Sequence, residues 1–236
     1  MRLTILVAAA AMCCGQAPIA TPSIGKMLDA SGTLWPVYGV AGNFTLGPRE
    51  AVRVISAGCS AVLCLTKTGN RIVGPKGSAI APFGPALFGF DGAEAVLYFP
   101  ATDLFARWRQ GRLLRLPWHV EGEVVALRGL EIAVRRGADA WIVRPDGAIL
   151  DYLGEVAGPV LLVDGAAVLV TEDAVILRRK DQDDLRFELA GVQALAALGP
   201  EYVQVKTATG SYALRTTPGR EDLLLLPAAR RRDVRR

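Results

Sequence analysis

His119 is the only histidine in a chain of 236 residues, so imidazole chemistry has one place to happen. A multi-histidine metal site cannot be built from it, and a Ser-His-Asp triad would have to use this ring. It sits in Pro117-Trp118-His119-Val120-Glu121. No glycine-rich phosphate loop precedes a helix, and no Cys pair has zinc spacing, so no metal or cofactor is expected. Carboxylates are the remaining reagents, since sugar-bond hydrolysis needs two acids about 5 to 9 Å apart. Here Asp91, Asp146 and Asp164 each precede a glycine at or near a turn, where aspartate caps its own backbone. Asp103, Asp139 and Asp173 recur just ahead of an apolar segment and read as turn caps too.

Cys59 and Cys64 stand in Cys59-Ser-Ala-Val-Leu-Cys64, which reads as one strand. Five strand steps span about 16 Å, whereas a disulfide needs Cα atoms within about 7 Å. Odd spacing also points the two side chains to opposite faces. The expectation is two small buried hydrophobes and no disulfide.

The elements that position these groups repeat. Ala86 to Leu116 reads as four short apolar segments split by turns. Its first turn, Asp91-Gly92, returns as Arg128-Gly129, Asp164-Gly165 and Leu198-Gly199, at steps of 37, 36 and 34 residues. A second turn, placed between the last two strands, recurs at Gly69-Asn70, Gly111, Asp146-Gly147 and Pro218-Gly219. First strands such as Val124-Val-Ala-Leu127 and Val160-Leu-Leu-Val163 are continuous apolar runs, as expected for strands covered on both faces. Ala51 to Ile55 reads as a second strand and Arg71 to Val73 as a fourth, and third strands carry a late arginine at Arg107, Arg144, Arg178 and Arg215. Leu189 to Leu198 has helix-forming content, but its place in the repeat favours a strand.

The fold expectation is all-β: a β-propeller of about five four-stranded blades, with six blades and a shared or incomplete last blade as the alternative. A β-sandwich fits less well, because about 20 strand-like segments are many for one. Over residues 40 to 227 the chain resembles bacterial exported propellers with degenerate WD40-like or YVTN-like blades. That resemblance rests on period and glycine-turn placement, since the Trp-Asp pair of true WD40 repeats is absent.

Arg2 followed by the apolar Leu3 to Met12 reads as a secretory signal over residues 1–15, with cleavage as late as residue 20. Periplasmic or secreted location is expected, with a lipoprotein anchored at Cys13 or Cys14 as the alternative. Residues 16–33 read as a flexible leader, and 34–227 as the repeat domain. Pro36 argues that Leu34 to Val40 is an edge strand. Residues 228–236 form a basic tail whose last seven residues hold five Arg and one Asp. The remaining chain balances 22 basic against 22 acidic groups. A neutral body excludes a nucleic-acid-binding stripe, and no apolar run after the N-terminus reaches the length of a membrane span. The tail is expected to be solvated and disordered, with weak contact with acidic surfaces as the alternative.

Function is expected to be non-catalytic: an exported scaffold that binds a protein or a small ligand. The alternative is a carboxylate-based hydrolase or lyase acting on sugars or lactones at the channel mouth. A sugar-binding propeller is disfavoured by the scarcity of asparagine, present only at Asn43 and Asn70. Trp108 and Trp141 are read as packing between blades. Blade-connecting loops share a face with turns between second and third strands. On that face the candidates are Lys76, Trp118, His119, Glu121, Arg136 and Asp173.

Overall fold

The computed structural model describes residues 21–50 and 53–229. These form six antiparallel sheets, of which the first has three strands and the others four. Blade 1 comprises β1 (Ser23–Leu28), β2 (Leu34–Val40) and β3 (Asn43–Leu46). Blade 2 comprises β4 (Ser56–Cys59), β5 (Cys64–Thr68), β6 (Arg71–Gly74) and β7 (Gly77–Ile80). Blade 3 has β8 (Leu87–Asp91), β9 (Glu94–Phe99), β10 (Leu104–Arg109) and β11 (Arg112–Leu116). Blade 4 has β12 (Glu123–Arg128), β13 (Glu131–Arg136), β14 (Asp139–Val143) and β15 (Ile149–Glu155). Blade 5 has β16 (Val160–Val163), β17 (Ala166–Val170), β18 (Ala174–Arg179) and β19 (Leu185–Glu188). Blade 6 has β20 (Val192–Ala197), β21 (Tyr202–Thr207), β22 (Ser211–Arg215) and β23 (Asp222–Leu225).

The fold is a β-propeller with six blades rather than five. Alternating apolar side chains on both faces of the middle strands drive it, because a sheet apolar on both faces must be covered twice. β17 is buried along its whole length. Trp108, Leu65, Ile72 and Leu97 join blades 2 and 3, and Phe105, Leu127 and Ile132 join blades 3 and 4. Leu153 and Leu162 join blades 4 and 5, and Val168, Leu177, Val203 and Leu214 join blades 5 and 6. Each fully buried Leu or Ile is worth about 1.5 to 3 kcal/mol over an exposed one. Outer strands are exposed and charged, as in β11 and β19, which discourages edge-to-edge pairing.

In the four-stranded blades, one face carries the links between blades and the turns between second and third strands. We term it the connection face, and the opposite one the hairpin face. Blade 1 departs from this pattern. Gly25, early in β1, lies against Leu198 at the β20–β21 hairpin, while Leu28 lies against Gln204 inside β21. The turn after β1 meets the link into blade 2, where the Val54 amide donates to the Gly32 carbonyl. β1 therefore runs in the direction of the second strands. Among the described residues blade 1 has second, third and fourth strands and no inner one. β20 and β4, the inner strands on either side, approach each other across the gap.

Several expectations require correction. Ser23–Leu28 is a strand, although it falls within the stretch read as a leader; its proline and glycine surroundings hide Ile24 and Met27, both of which are buried. Leu34–Val40 is the central strand of its sheet, not an edge. Pro36 is tolerated because it lies just beyond the last β2–β3 pair, Val37 with Leu46, and needs only its carbonyl to accept from Gly47. Arg53 to Ile55 form an extended link rather than a second strand, and Gly69-Asn70 joins second to third strand, so Arg71 to Val73 belong to a third strand. Leu189 to Leu198 contains strand β20, as its place in the repeat requires. The proposed signal segment and all but the first two residues of the basic tail lie outside the described residues.

Cys59 and Cys64 form a disulfide, against expectation. They end β4 and begin β5 rather than sharing one strand, and are directly paired across the hairpin with Cα atoms 4.1 Å apart. The reversal is held by Ser60, whose Oγ accepts from the amides of Val62 and Leu63. Chain-entropy arithmetic for so short a loop gives about 2 kcal/mol. A C59S/C64S double variant should lose about that much in urea unfolding. Loss of none would place the hairpin's stability in Ser60 alone.

Candidate functional site

The connection face brings four of the six candidate residues together at the junction of blades 3 and 4. Trp118, His119 and Glu121 lie on the link from β11 to β12, and Arg136 ends β13 beside them. The Arg136 Nε donates to the Glu121 carbonyl at 3.1 Å, and its guanidinium lies 5.8 Å from the Trp141 ring centroid. His119 Nδ1 is 3.4 Å from Asp103 Oδ2, and the ring is 78% exposed. Asp103 also accepts from the Tyr98 hydroxyl at 3.0 Å. Burial first, then the Asp103 carboxylate, pushes the Tyr98 hydroxyl up to about 12, so it acts as a donor. Trp118 is half-buried, packs on Phe105 at 5.8 Å and also lines an opening shared with Asp91, Arg128 and Asp146.

The other two candidates lie elsewhere. Asp173 is on the connection face of blade 5, where Arg186 donates to it at 2.6 Å. The hydrogen bond from Arg186 holds the Asp173 carboxyl below the ordinary range. Lys76 is in the turn between β6 and β7, against Gly111 in the equivalent turn of blade 3. It is therefore on the hairpin face, a consequence of the shifted reading of blade 2.

The recurrent acids and arginines are framework. Asp146 Oδ1 accepts from the Ala148 amide at 3.1 Å and so shapes its turn. Arg178 Nε donates to Asp184 at 2.9 Å, and its Nη1 reaches the Leu153 carbonyl of the preceding blade at 2.6 Å. Arg215 lies 3.2 Å from Glu201. Asp91, Asp146 and Asp164 border a hairpin-face opening of about 920 Å³, but with Arg128 and Arg144 among them. Among the described residues no three of His, Cys, Asp and Glu gather into a metal-holding group.

The feature that sequence reasoning missed is a cavity of about 720 Å³ on the connection face, where blade 1 lacks an inner strand. Its rim is the Asp29-to-Gly32 turn, and its walls come from the link into blade 2, from Gly69 and from β20 and β21. Asp29 organises the rim. It accepts from the amides of Ser31 at 2.8 Å and Thr33 at 2.9 Å, from the Ser31 hydroxyl at 2.7 Å, and from Trp35 Nε1 at 2.9 Å. Burial opposes ionisation, but the four hydrogen bonds together hold its carboxyl below the usual value. Lys67, in β5, is fully buried on the face of blade 2 that packs on blade 3, beside Leu65 and Ile72, and its Nζ donates to the Gly69 carbonyl. The strand alternation of Leu65 and Lys67 was the signal that put this lysine on a buried face.

No family model matches the chain, and no curated protein matches it. Among solved structures it is similar to a protein of unknown function from Bacteroides caccae. That likeness has 8% identity and a TM-score of 0.53, covering 84% of this chain and 91% of the other. It is similar to the Pan2 WD40 domain of Neurospora crassa at 9% identity, covering 90% and 83% with a TM-score of 0.47. AztD from Citrobacter koseri follows at 11% identity, 87% and 69% coverage and a TM-score of 0.44. At such identities the likeness concerns the fold alone.

Proposed function

We propose that this chain is an exported, non-catalytic β-propeller that serves as an interaction scaffold through its connection face. The observation that carries this reading is the pairing, on one face, of an open cavity with exposed polar groups whose hydrogen bonds stabilise links and turns. His119, Glu121 and Arg136 are displayed at a blade junction without a nucleophile among their hydrogen-bond and ion-pair partners in the described residues. Export is supported by Arg2 and the apolar stretch behind it. The Cys59–Cys64 disulfide supports it independently, because such bonds persist in oxidising compartments. The Arg-rich tail then offers weak, salt-sensitive contact with acidic surfaces.

Cell fractionation with N-terminal sequencing tests the location. The expected result is a periplasmic or secreted protein shortened by about 15 to 20 residues at its N-terminus; an intact cytoplasmic protein with free Cys59 and Cys64 thiols would overturn export. For the interaction face, a photo-crosslinking residue replaces His119 in one variant and Lys76 in another. A discrete adduct from position 119, competed by unlabelled protein and missing from position 76, is expected. Equal labelling from both faces, or none from either, would sink the scaffold reading.

A further inference from the structure

The connection-face cavity carries more positive than negative charge, and its acid is already engaged. Arg53 folds over the rim, with Cγ 3.3 Å and Nε 3.7 Å from where a Cβ at Gly32 would stand. Lys206 lines the opposite wall. Neither cation has an ion-pair partner among the described residues. Against these stands Asp29 alone, whose oxygens accept four hydrogen bonds, three within its own turn and one from Trp35 in β2. The rest of the lining is apolar, from Leu28, Ile55, Ala194, Leu195 and Ala196. Gln204 adds no free polar group, because its amide is consumed by Leu28 and Ser211.

We infer that this cavity binds a small organic anion with an apolar body, its head held by Arg53 and Lys206 and its body against β20. The volume falls within the range of small-molecule pockets, about 300 to 1,000 Å³. A guanidinium recognises a carboxylate through a planar fork, and an ammonium adds a mobile point charge. The apolar wall supplies affinity that a simple inorganic anion would not gain. The inference deepens the scaffold reading by naming the chemistry of one of its ligands.

Calorimetric titration of the full chain with octanoate, octylammonium and acetate tests it. Octanoate should bind, acetate at least about tenfold more weakly, and octylammonium not measurably. Arg53→Ala and Lys206→Ala should each weaken octanoate about tenfold with the melting temperature unchanged, since both side chains lie on the cavity rim or wall. Equal binding of octanoate and octylammonium, no octanoate binding, or octanoate affinity indifferent to both substitutions would overturn the inference. If octanoate fails while crosslinking from position 119 persists, the ligand assignment falls and the scaffold reading stands; the reverse outcome separates them the other way.

Discussion

A Gly25→Ala variant should lose about 4 kcal/mol or more of stability, most of it at the seam between the first and last blades. A Cβ at Gly25 would stand 1.4 Å from the Leu198 carbonyl oxygen and 2.3 Å from its carbon. Both are backbone atoms, so no rotamer relieves the overlap. The contact is reciprocal, since a Cβ at Gly199 would lie 2.0 Å from the Ile24 carbonyl oxygen. Separating these backbones would break the hydrogen bond from the Lys26 amide to Leu198 and open the core of Met27, Val37, Tyr202 and Leu226. Gly165→Ala is the control. Gly165 also has positive φ, but nothing lies within 4 Å of its would-be Cβ. Only conformational strain is then at stake, about 1 kcal/mol. Urea unfolding of the pair decides the matter: equal losses would mean that the blade 1 to blade 6 approach is not tight.

Gln204→Leu should cost about 3 kcal/mol although the side chain is nearly isosteric and the site is buried. Gln204 is 3% exposed. Its Oε1 accepts from the Leu28 amide at 3.0 Å, and its Nε2 donates to the Leu28 carbonyl at 3.1 Å. A side-chain amide thus performs on the free edge of β1 what an inner strand would perform. Leucine fills the space and leaves both backbone groups unsatisfied, which isolates the polar loss from the packing loss. Hydrogen exchange at the Leu28 amide is the direct readout, and it should quicken together with neighbouring β1 amides. Gln204→Glu keeps an acceptor for the amide and loses the donor to the carbonyl, so it should fall between. An unchanged Leu28 exchange rate in Gln204→Leu would refute the edge-protecting role.

The propeller was legible because its punctuation is chemical. Gly92, Gly129 and Gly165 occupy left-handed turn positions at a near-constant period, and few other residues tolerate that backbone. Blade 2 was misread for the same reason in reverse. Its first hairpin turns on Ser60-Ala-Val-Leu63, with no Gly, Asn or Asp, so the apolar run reads as one strand and every later assignment in that blade slips. That slip removed the disulfide and sent Lys76 to the wrong face. Blade 1 escaped because three strands break the period, and the apolar residues of β1, Ile24, Met27 and Leu28, do not alternate as a strand's should. The face bearing Trp118, His119, Glu121 and Arg136 followed from topology. The cavity did not, since it exists only through the meeting of Arg53, Gly69 and Lys206 from distant segments.

The Gln204 clasp on Leu28 spans 176 positions of sequence. β1 leaves the ribosome before its partner in β21 exists as a protein segment. Blades 2 to 6 pair within themselves and with sequence neighbours, contacts that form early because little chain entropy is spent on closing them. Blade 1 pairs within itself too, but the free edge of β1 must wait for the far end of the chain. The closing of the ring is thus expected late in folding, and until then the edge of β1 is open to capture by chaperones, by proteases or by another copy emerging beside it.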